Sequence, residues 1–240
     1  VPCILFGGRK GPFEPTNEVL VAVFSHHSPG PDHPRQFNLA WSCLEIKSLK
    51  HEFPRKRWSH SATLLEAKGD DESYVNYNND ELVHTICIYG GRNNSEVFDD
   101  LFFLNIYCAQ YANDRKTANT SFDSMPSDGD GISSKKNMFG WWEPATGKCT
   151  GSPPGPRFSH TSTLISKKSS QSKMTLVIAG GYVSTDDTSL AYANSLHLLD
   201  LHTMAWSSIF SSDTIFEPAL RYSHTASCFD GNKILLLGGI

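Results

Sequence analysis

The feature that most constrains the fold is a short segment that occurs three times along the chain, each time as arginine, an aromatic residue, serine and histidine. Each copy is preceded by a proline and followed by an apolar run that ends in two glycines, and one further apolar run with its glycine pair lies near residue 1. The copies begin at Arg57, Arg157 and Arg221, and the glycine pairs are Gly7-Gly8, Gly90-Gly91, Gly180-Gly181 and Gly238-Gly239. Self-similarity of this kind predicts a stack of one repeated supersecondary unit.

The repeated unit has the character of four short strands. Its continuous apolar runs suit strands that are buried on both faces. The glycine pairs end those strands where the backbone needs a positive φ angle. A third strand-like element follows at 98–105 and 194–201, and a tryptophan then marks a fourth strand, at Trp41, Trp141 or Trp142, and Trp206. We expect each tryptophan to fill the wedge between neighbouring sheets, which favours an all-β ring of blades over residues 1–240.

The order of glycine pair, strand, tryptophan and Arg-x-Ser-His segment resembles the kelch repeat over nearly the whole chain. This resemblance implies a kelch-type β-propeller. The glycine pairs begin 83, 90 and 58 residues apart, whereas the kelch period is roughly 50 residues. We therefore predict loop insertions at about 24–37, 67–82 and 109–138, the last of them disordered. The chain holds two full blades and parts of two others, so we expect an incomplete ring and a fragment of a longer protein.

The segment Leu5–Pro12, with its Gly-Gly-Arg-Lys-Gly-Pro sequence, resembles the first kelch motif of the carboxyl methyltransferases of wybutosine biosynthesis. The resemblance implies a parent protein that uses S-adenosylmethionine and acts on phenylalanine tRNA. This chain has no glycine-rich cofactor segment, so we assign it no catalytic residue and no cofactor. Its partner would be another protein or its own methyltransferase domain, with tRNA as a further partner of the parent. The alternative is a general kelch adaptor for protein–protein interaction, of the ubiquitin-ligase or trafficking type.

Five arginines are candidates for a binding face: Arg9, Arg57, Arg92, Arg157 and Arg221. A ring of guanidinium groups at the mouth of the propeller channel would bind carboxylate or phosphate bidentately. The alternative is that each arginine pairs with an acid or with backbone carbonyls between blades.

The repeated histidines His60, His160 and His224 invite the interpretation of a metal site. Zinc needs three or four ligands around one point, whereas equivalent positions on different blades lie well apart. We therefore predict structural hydrogen bonds from these imidazoles and no metal. The same structural role is predicted for the glycine pairs and for Trp41 and Trp206.

Composition narrows the class of protein further. The chain is 39% hydrophobic and 19% charged, which is typical of a globular protein. Its net charge of −4 provides no overall attraction to nucleic acid or to anionic membranes. The six cysteines include no Cys-x-x-Cys pair, and no apolar run is long enough to span a membrane. We expect a cytoplasmic protein without a membrane partner.

Overall fold

The computed structural model describes residues 3–27, 36–47, 52–65, 81–108, 138–167, 173–184, 190–192, 196–209 and 221–240. These residues form twenty β-strands, and the only helical segment among them is a single 3-10 turn at Thr146–Lys148. The all-β prediction is confirmed.

The strands fall into four successive antiparallel sheets, which are the blades. The first blade contains β1 (Cys3–Phe6), β4 (Val19–His27) and β5 (Gln36–Cys43). The second contains β7 (Ser61–Leu65), β8 (Glu81–Tyr89), β9 (Leu101–Cys108) and β10 (Met138–Pro144). The third contains β13 (Thr161–Lys167), β14 (Lys173–Ala179), β17 (Leu196–Asp200) and β18 (Ala205–Ile209). The fourth contains β19 (Thr225–Phe229) and β20 (Lys233–Leu237).

The remaining strands are short. Two of them join the outer edge of the next blade as parallel strands: β6 (Glu45–Lys47) pairs with β10, and β11 (Thr150–Gly151) pairs with β18. A small hairpin follows the first glycine pair and consists of β2 (Arg9–Gly11) and β3 (Glu14–Pro15). A three-stranded sheet on the third blade consists of β12 (Arg157–Phe158), β15 (Tyr182–Ser184) and β16 (Leu190–Tyr192).

The innermost strands of successive blades lie side by side. The Thr63 hydroxyl on β7 donates to the carbonyl of Ser162 on β13 at 3.1 Å. At the entrance to these strands the amide of Ser159 donates to the carbonyl of Ser59, and the amide of Ser223 to that of Ser159, both at 2.9 Å. The blades therefore follow one another around an axis, as in a propeller. Two four-stranded blades and parts of two others were predicted, and that incomplete ring is confirmed.

The core lies between blades and is closed by tryptophans. Trp142 on β10 packs edge-on against Phe6 of the first blade, with the ring centroids 4.9 Å apart. Trp206 on β18 packs against Tyr89 of the second blade at 5.8 Å. Both tryptophans are buried, whereas Trp41, in the corresponding position on β5, is 50% exposed. The sequence predicts that each tryptophan fills the wedge between neighbouring blades. Trp142 and Trp206 do so, whereas Trp41 is half exposed.

Strands extend into the edges of the predicted insertions. β4 pairs with β5 as far as His27 with Gln36, so both ends of the predicted loop 24–37 belong to a hairpin. The predicted loops 67–82 and 109–138 also overlap strands, since β8 begins at Glu81 and β10 at Met138. The backbone groups of these polar strand ends are paired by cross-strand hydrogen bonds. Their sequence carries no apolar pattern that would predict a strand. Residues 28–35, 66–80 and 109–137 lie outside the described residues, and the disorder expected near 109–138 stays a prediction.

Candidate functional site

One end of the blades collects most of the predicted site residues. In an antiparallel blade the innermost strand begins where the second strand ends. The segment before β7 (53–60) and the loop after β8 (90–100) therefore share one end of the second blade, and the corresponding segments share it in the other blades. We call this end the glycine-pair face, because each second strand ends there in its two glycines.

Three of the five candidate arginines fasten adjacent blades together at this face. The Arg57 guanidinium donates to the carbonyl of Gly90 in its own blade at 2.9 Å, and the Arg57 carbonyl accepts from the amide of Gly8 in the preceding blade at 2.8 Å. Arg157 repeats both contacts, with Gly180 and Gly91, at 3.2 and 2.8 Å. Each arginine thus binds two glycine pairs in neighbouring blades.

Arg221 continues the pattern in the fourth blade, where it donates to the carbonyl of Gly238 at 3.1 Å and accepts from the amide of Gly181 at 3.0 Å. Arg57 and Arg157 are 0% and 2% exposed. Arg57 also forms a bidentate ion pair with Asp100. The guanidinium groups of Arg57 and Arg157 are therefore buried and bind carbonyl groups, and Arg57 also binds an acid. They do not form an exposed ring of donors.

The glycine pairs are required by this close approach. Gly90 has a φ angle of +61°, and a Cβ atom there would lie 2.7 Å from the carbonyl oxygen of Arg157. A Cβ atom on Gly7 would lie 2.8 Å from the Arg57 carbonyl oxygen, and one on Gly180 would lie closer still to that of Arg221. A side chain would both strain the backbone and separate the blades.

Two of the three repeated histidines bind hydroxyl groups of the preceding blade. Nε2 of His160 lies 2.8 Å from Oγ of Ser61, and Nε2 of His224 lies 2.8 Å from Oγ1 of Thr161. Burial, reinforced by Arg157, lowers the pKa of His160 to about 3. Burial and Arg57 likewise lower the pKa of His60 to about 4. These imidazoles are neutral parts of the blade interface.

Metal-ligating side chains do not converge in the part of the chain that the structure describes. No group of three or more His, Cys, Asp or Glu side chains that could hold a metal ion occurs there.

The other two candidate arginines lie at the surface and stack on aromatic rings. The guanidinium carbon of Arg9 lies 4.8 Å from the ring centroid of Trp58, and that of Arg92 lies 5.6 Å from the same ring. Arg92 also lies 4.8 Å from the ring centroid of Phe158 in the third blade. Both arginines directly follow a glycine pair, so the repeat itself places them beside the aromatic residue of the next Arg-x-Ser-His segment.

The stack continues across the third and fourth blades as aromatic contacts. Phe158 stacks on Tyr182 with the centroids 5.3 Å apart, and Tyr182 lies 4.1 Å from Tyr222. We call the whole series the arginine–aromatic stack: Arg9, Trp58, Arg92, Phe158, Tyr182 and Tyr222. Sequence reasoning named its two arginines but missed its aromatic members. The signal was present, because the aromatic residue recurs at the second position of every repeat.

A cleft opens beside this stack, between the first and second blades. Its volume is about 540 Å³. One part of the lining is apolar, with Pro15, Phe53 and Pro54, and the rest is polar or cationic, with Asn17, Arg55, Lys56, Asn93, Asn94 and Ser95. Phe53 is 39% exposed. The cleft therefore combines an apolar wall with amide and cationic groups, as binding sites for peptides and small molecules do.

Among the described residues no helix is long and apolar enough to cross a membrane. No protein-family model matches the chain. The chain is 28% identical over 200 residues to Tip elongation aberrant protein 1 of Schizosaccharomyces pombe, and 25% identical over 229 residues to Acyl-CoA-binding domain-containing protein 6 of Oryza sativa subsp. japonica.

Each of these alignments covers 83% of the chain but only 12% and 29% of the two relatives. The chain thus spans less than a third of either curated relative. The blade architecture and these matches together support a kelch-like propeller fold.

Proposed function

We propose that this chain is a non-catalytic kelch-type propeller module that binds a protein partner through its glycine-pair face. The observation that carries the proposal is the arginine–aromatic stack, which runs over all four blades beside an open cleft. Arginine and aromatic residues are enriched at protein–protein interfaces because they contribute large contact areas with few rotatable bonds.

The buried residues of the repeat support this assignment because they serve to join the blades. The backbone carbonyls of Arg57 and Arg157 and the imidazole of His160 hold adjacent blades together, whereas Arg9, Trp58 and Arg92 are at least partly exposed and available for recognition. A rigid frame beneath a surface with exposed loops is the usual arrangement of a binding module.

A second, finer proposal concerns the parent protein. The Leu5–Pro12 segment, which contains the end of β1, the first glycine pair and strand β2, carries the resemblance to the carboxyl methyltransferases. Under this proposal the propeller serves a cytoplasmic enzyme that uses S-adenosylmethionine and acts on phenylalanine tRNA. It rests on that one segment. Sequencing the native transcript upstream of Val1 tests it: an in-frame methyltransferase domain is expected, and an unrelated domain contradicts it.

The binding proposal is tested by selecting peptides from a displayed random library on the 240-residue chain and measuring their affinity for two matched variants. Asn94→Trp places a bulky side chain at the cleft, whereas Asn232→Trp places one in the exposed turn between β19 and β20, at the opposite end of the blade. We expect Asn94→Trp to weaken binding by about tenfold or more and Asn232→Trp to leave it unchanged. Equal affinities for both variants would overturn the proposal.

A further inference from the structure

We infer that the partner segment recognised at the glycine-pair face is an acidic, extended peptide, held by the guanidinium groups of Arg9 and Arg92. This inference rests on the proposed function and adds the chemistry of the ligand. Its basis is the geometry of the two stacked arginines, the charges around them and the shape of the adjoining cleft.

Contact with the aromatic rings leaves N–H donors of both guanidinium groups available to bind a carboxylate. A guanidinium has five N–H donors in one plane, and an aromatic ring beside it covers the face of that plane while its edge stays accessible. Arg9 donates to the carbonyl of Pro12 at 3.4 Å, and Arg92 donates through Nε to the carbonyl of Asn93 at 3.3 Å. Neither has a carboxylate partner among the described residues. The remaining donors match the bidentate geometry of a carboxylate.

Two of the nearby acids are paired with other cations. Glu18 pairs with Lys10 at 2.7 Å, and that hydrogen bond lowers the pKa of the Glu18 carboxyl. Glu96 pairs with Arg55. Lys56, which lines the cleft, forms no ion pair within the described ranges. It adds a third cation to the two stacked arginines.

Two acids of the same face, Glu14 and Asp99, have no ion pair in the described part of the chain. The face as a whole therefore does not produce a strong positive field. Selectivity for an acidic ligand comes instead from the fixed positions of the Arg9 and Arg92 donors, which a carboxylate can reach at short range.

An extended peptide can reach both guanidinium groups. Their carbons lie 4.8 and 5.6 Å from the same Trp58 ring centroid, so at most about 10 Å separates them. Carboxylates two residues apart in an extended chain point to the same side and are about 7 Å apart, which is within that range. The chain would then continue into the cleft, where the partly exposed Phe53 offers an apolar surface and Asn94 offers an amide.

A nucleic acid fits the face less well. Binding of a phosphate backbone depends on many cations arranged along its path. The chain has a net charge of −4, and the face carries unpaired acids beside its three unpaired cations. We therefore assign the site to a peptide and make an RNA oligonucleotide one outcome of the test.

The test titrates a short fluorescein-labelled peptide of alternating aspartate and glycine against the 240-residue chain at low salt, with the asparagine counterpart as the isosteric control. We expect the aspartate peptide to bind more tightly than the asparagine peptide. Arg9→Gln and Arg92→Gln should each weaken its binding by about tenfold, which is the loss expected for one charge-assisted hydrogen-bonded contact. Lys233→Gln makes the same change of charge at the first residue of β20, at the opposite end of the blade, and should leave the affinity unchanged.

The inference is overturned if the two peptides bind equally, or if both arginine variants retain the wild-type affinity while folded by circular dichroism. Tighter, Arg92-dependent binding of a single-stranded RNA oligonucleotide would also overturn it. Selected peptides that are sensitive to Asn94→Trp but not acidic would overturn this inference and leave the proposed function standing.

Discussion

Arg57 and Asp100 form a bidentate ion pair in which the guanidinium is fully buried, with Nη2 of Arg57 donating to Oδ2 of Asp100 at 2.8 Å. The same guanidinium donates to the carbonyl of Gly90, and Asp100 accepts the amide of Gly90 through its backbone carbonyl. The ion pair therefore joins the entrance of β7 to the loop between β8 and β9.

Asp100→Ala is expected to lower the free energy of unfolding by about 3 kcal/mol, because it leaves a buried guanidinium without its counter-charge. The matched change Glu96→Ala removes an exposed pair with Arg55 and should cost less than about 1 kcal/mol. Urea titrations followed by tryptophan fluorescence measure both values. Equal losses of unfolding free energy in the two variants would show that the buried Arg57–Asp100 pair stabilises the chain no more than the exposed Arg55–Glu96 pair.

Gly90→Ala is expected to destabilise the chain by at least about 1–2 kcal/mol, since Gly90 has a φ angle of +61° and a Cβ would meet the Arg157 carbonyl at 2.7 Å. The control is Gly147→Ala, where a Cβ would have no neighbour within 4 Å. Thermal unfolding of the two variants separates them. An unchanged melting temperature for Gly90→Ala would contradict the blade contact described here.

Trp206→Ala is expected to cost about 3–5 kcal/mol, because it removes a buried side chain packed on Tyr89 and leaves a cavity. Trp41→Ala changes the corresponding residue of the first blade, which is 50% exposed, and should cost clearly less. Denaturant unfolding of the 240-residue chain provides both numbers. A loss of unfolding free energy for Trp41→Ala as large as that for Trp206→Ala would contradict the half-exposed position of the Trp41 side chain.

The buried histidines predict a loss of stability in acid. The folded pKa of His160 is about 3 and that of His60 about 4, whereas an unfolded histidine titrates near 6.5. The unfolded chain therefore binds protons first as the pH falls below about 6.5, and stability decreases by up to about 1.4 kcal/mol per pH unit for each such histidine. Their contribution is fully present above that pH.

The measurement is the free energy of unfolding between pH 7 and pH 4.5, for the wild type and for His160→Gln, which keeps a hydrogen-bonding group but does not titrate. The variant should show the shallower pH dependence. Identical slopes would exclude His160 as a source of the acid sensitivity.

Much of this fold could be predicted from the repeat, because the glycine pairs, the apolar runs and the tryptophans are local signals of strand ends and buried faces. The strand ends near His27 and Gln36 could not, since a polar hairpin carries no apolar pattern. The complete burial of Arg57 and Arg157 also could not be predicted. It depends on how closely the neighbouring blade covers each guanidinium, which the repeat pattern of a single segment does not show.

The most direct test of the account measures amide hydrogen exchange of the 240-residue chain with and without a selected peptide, since the central claim is that the glycine-pair face binds a protein segment. We predict slower exchange in the segments 53–60 and 90–100, with no change in the turn between β19 and β20. Protection confined to that turn, or to the strands β5 and β20, with unchanged exchange at 90–100, would contradict the claim.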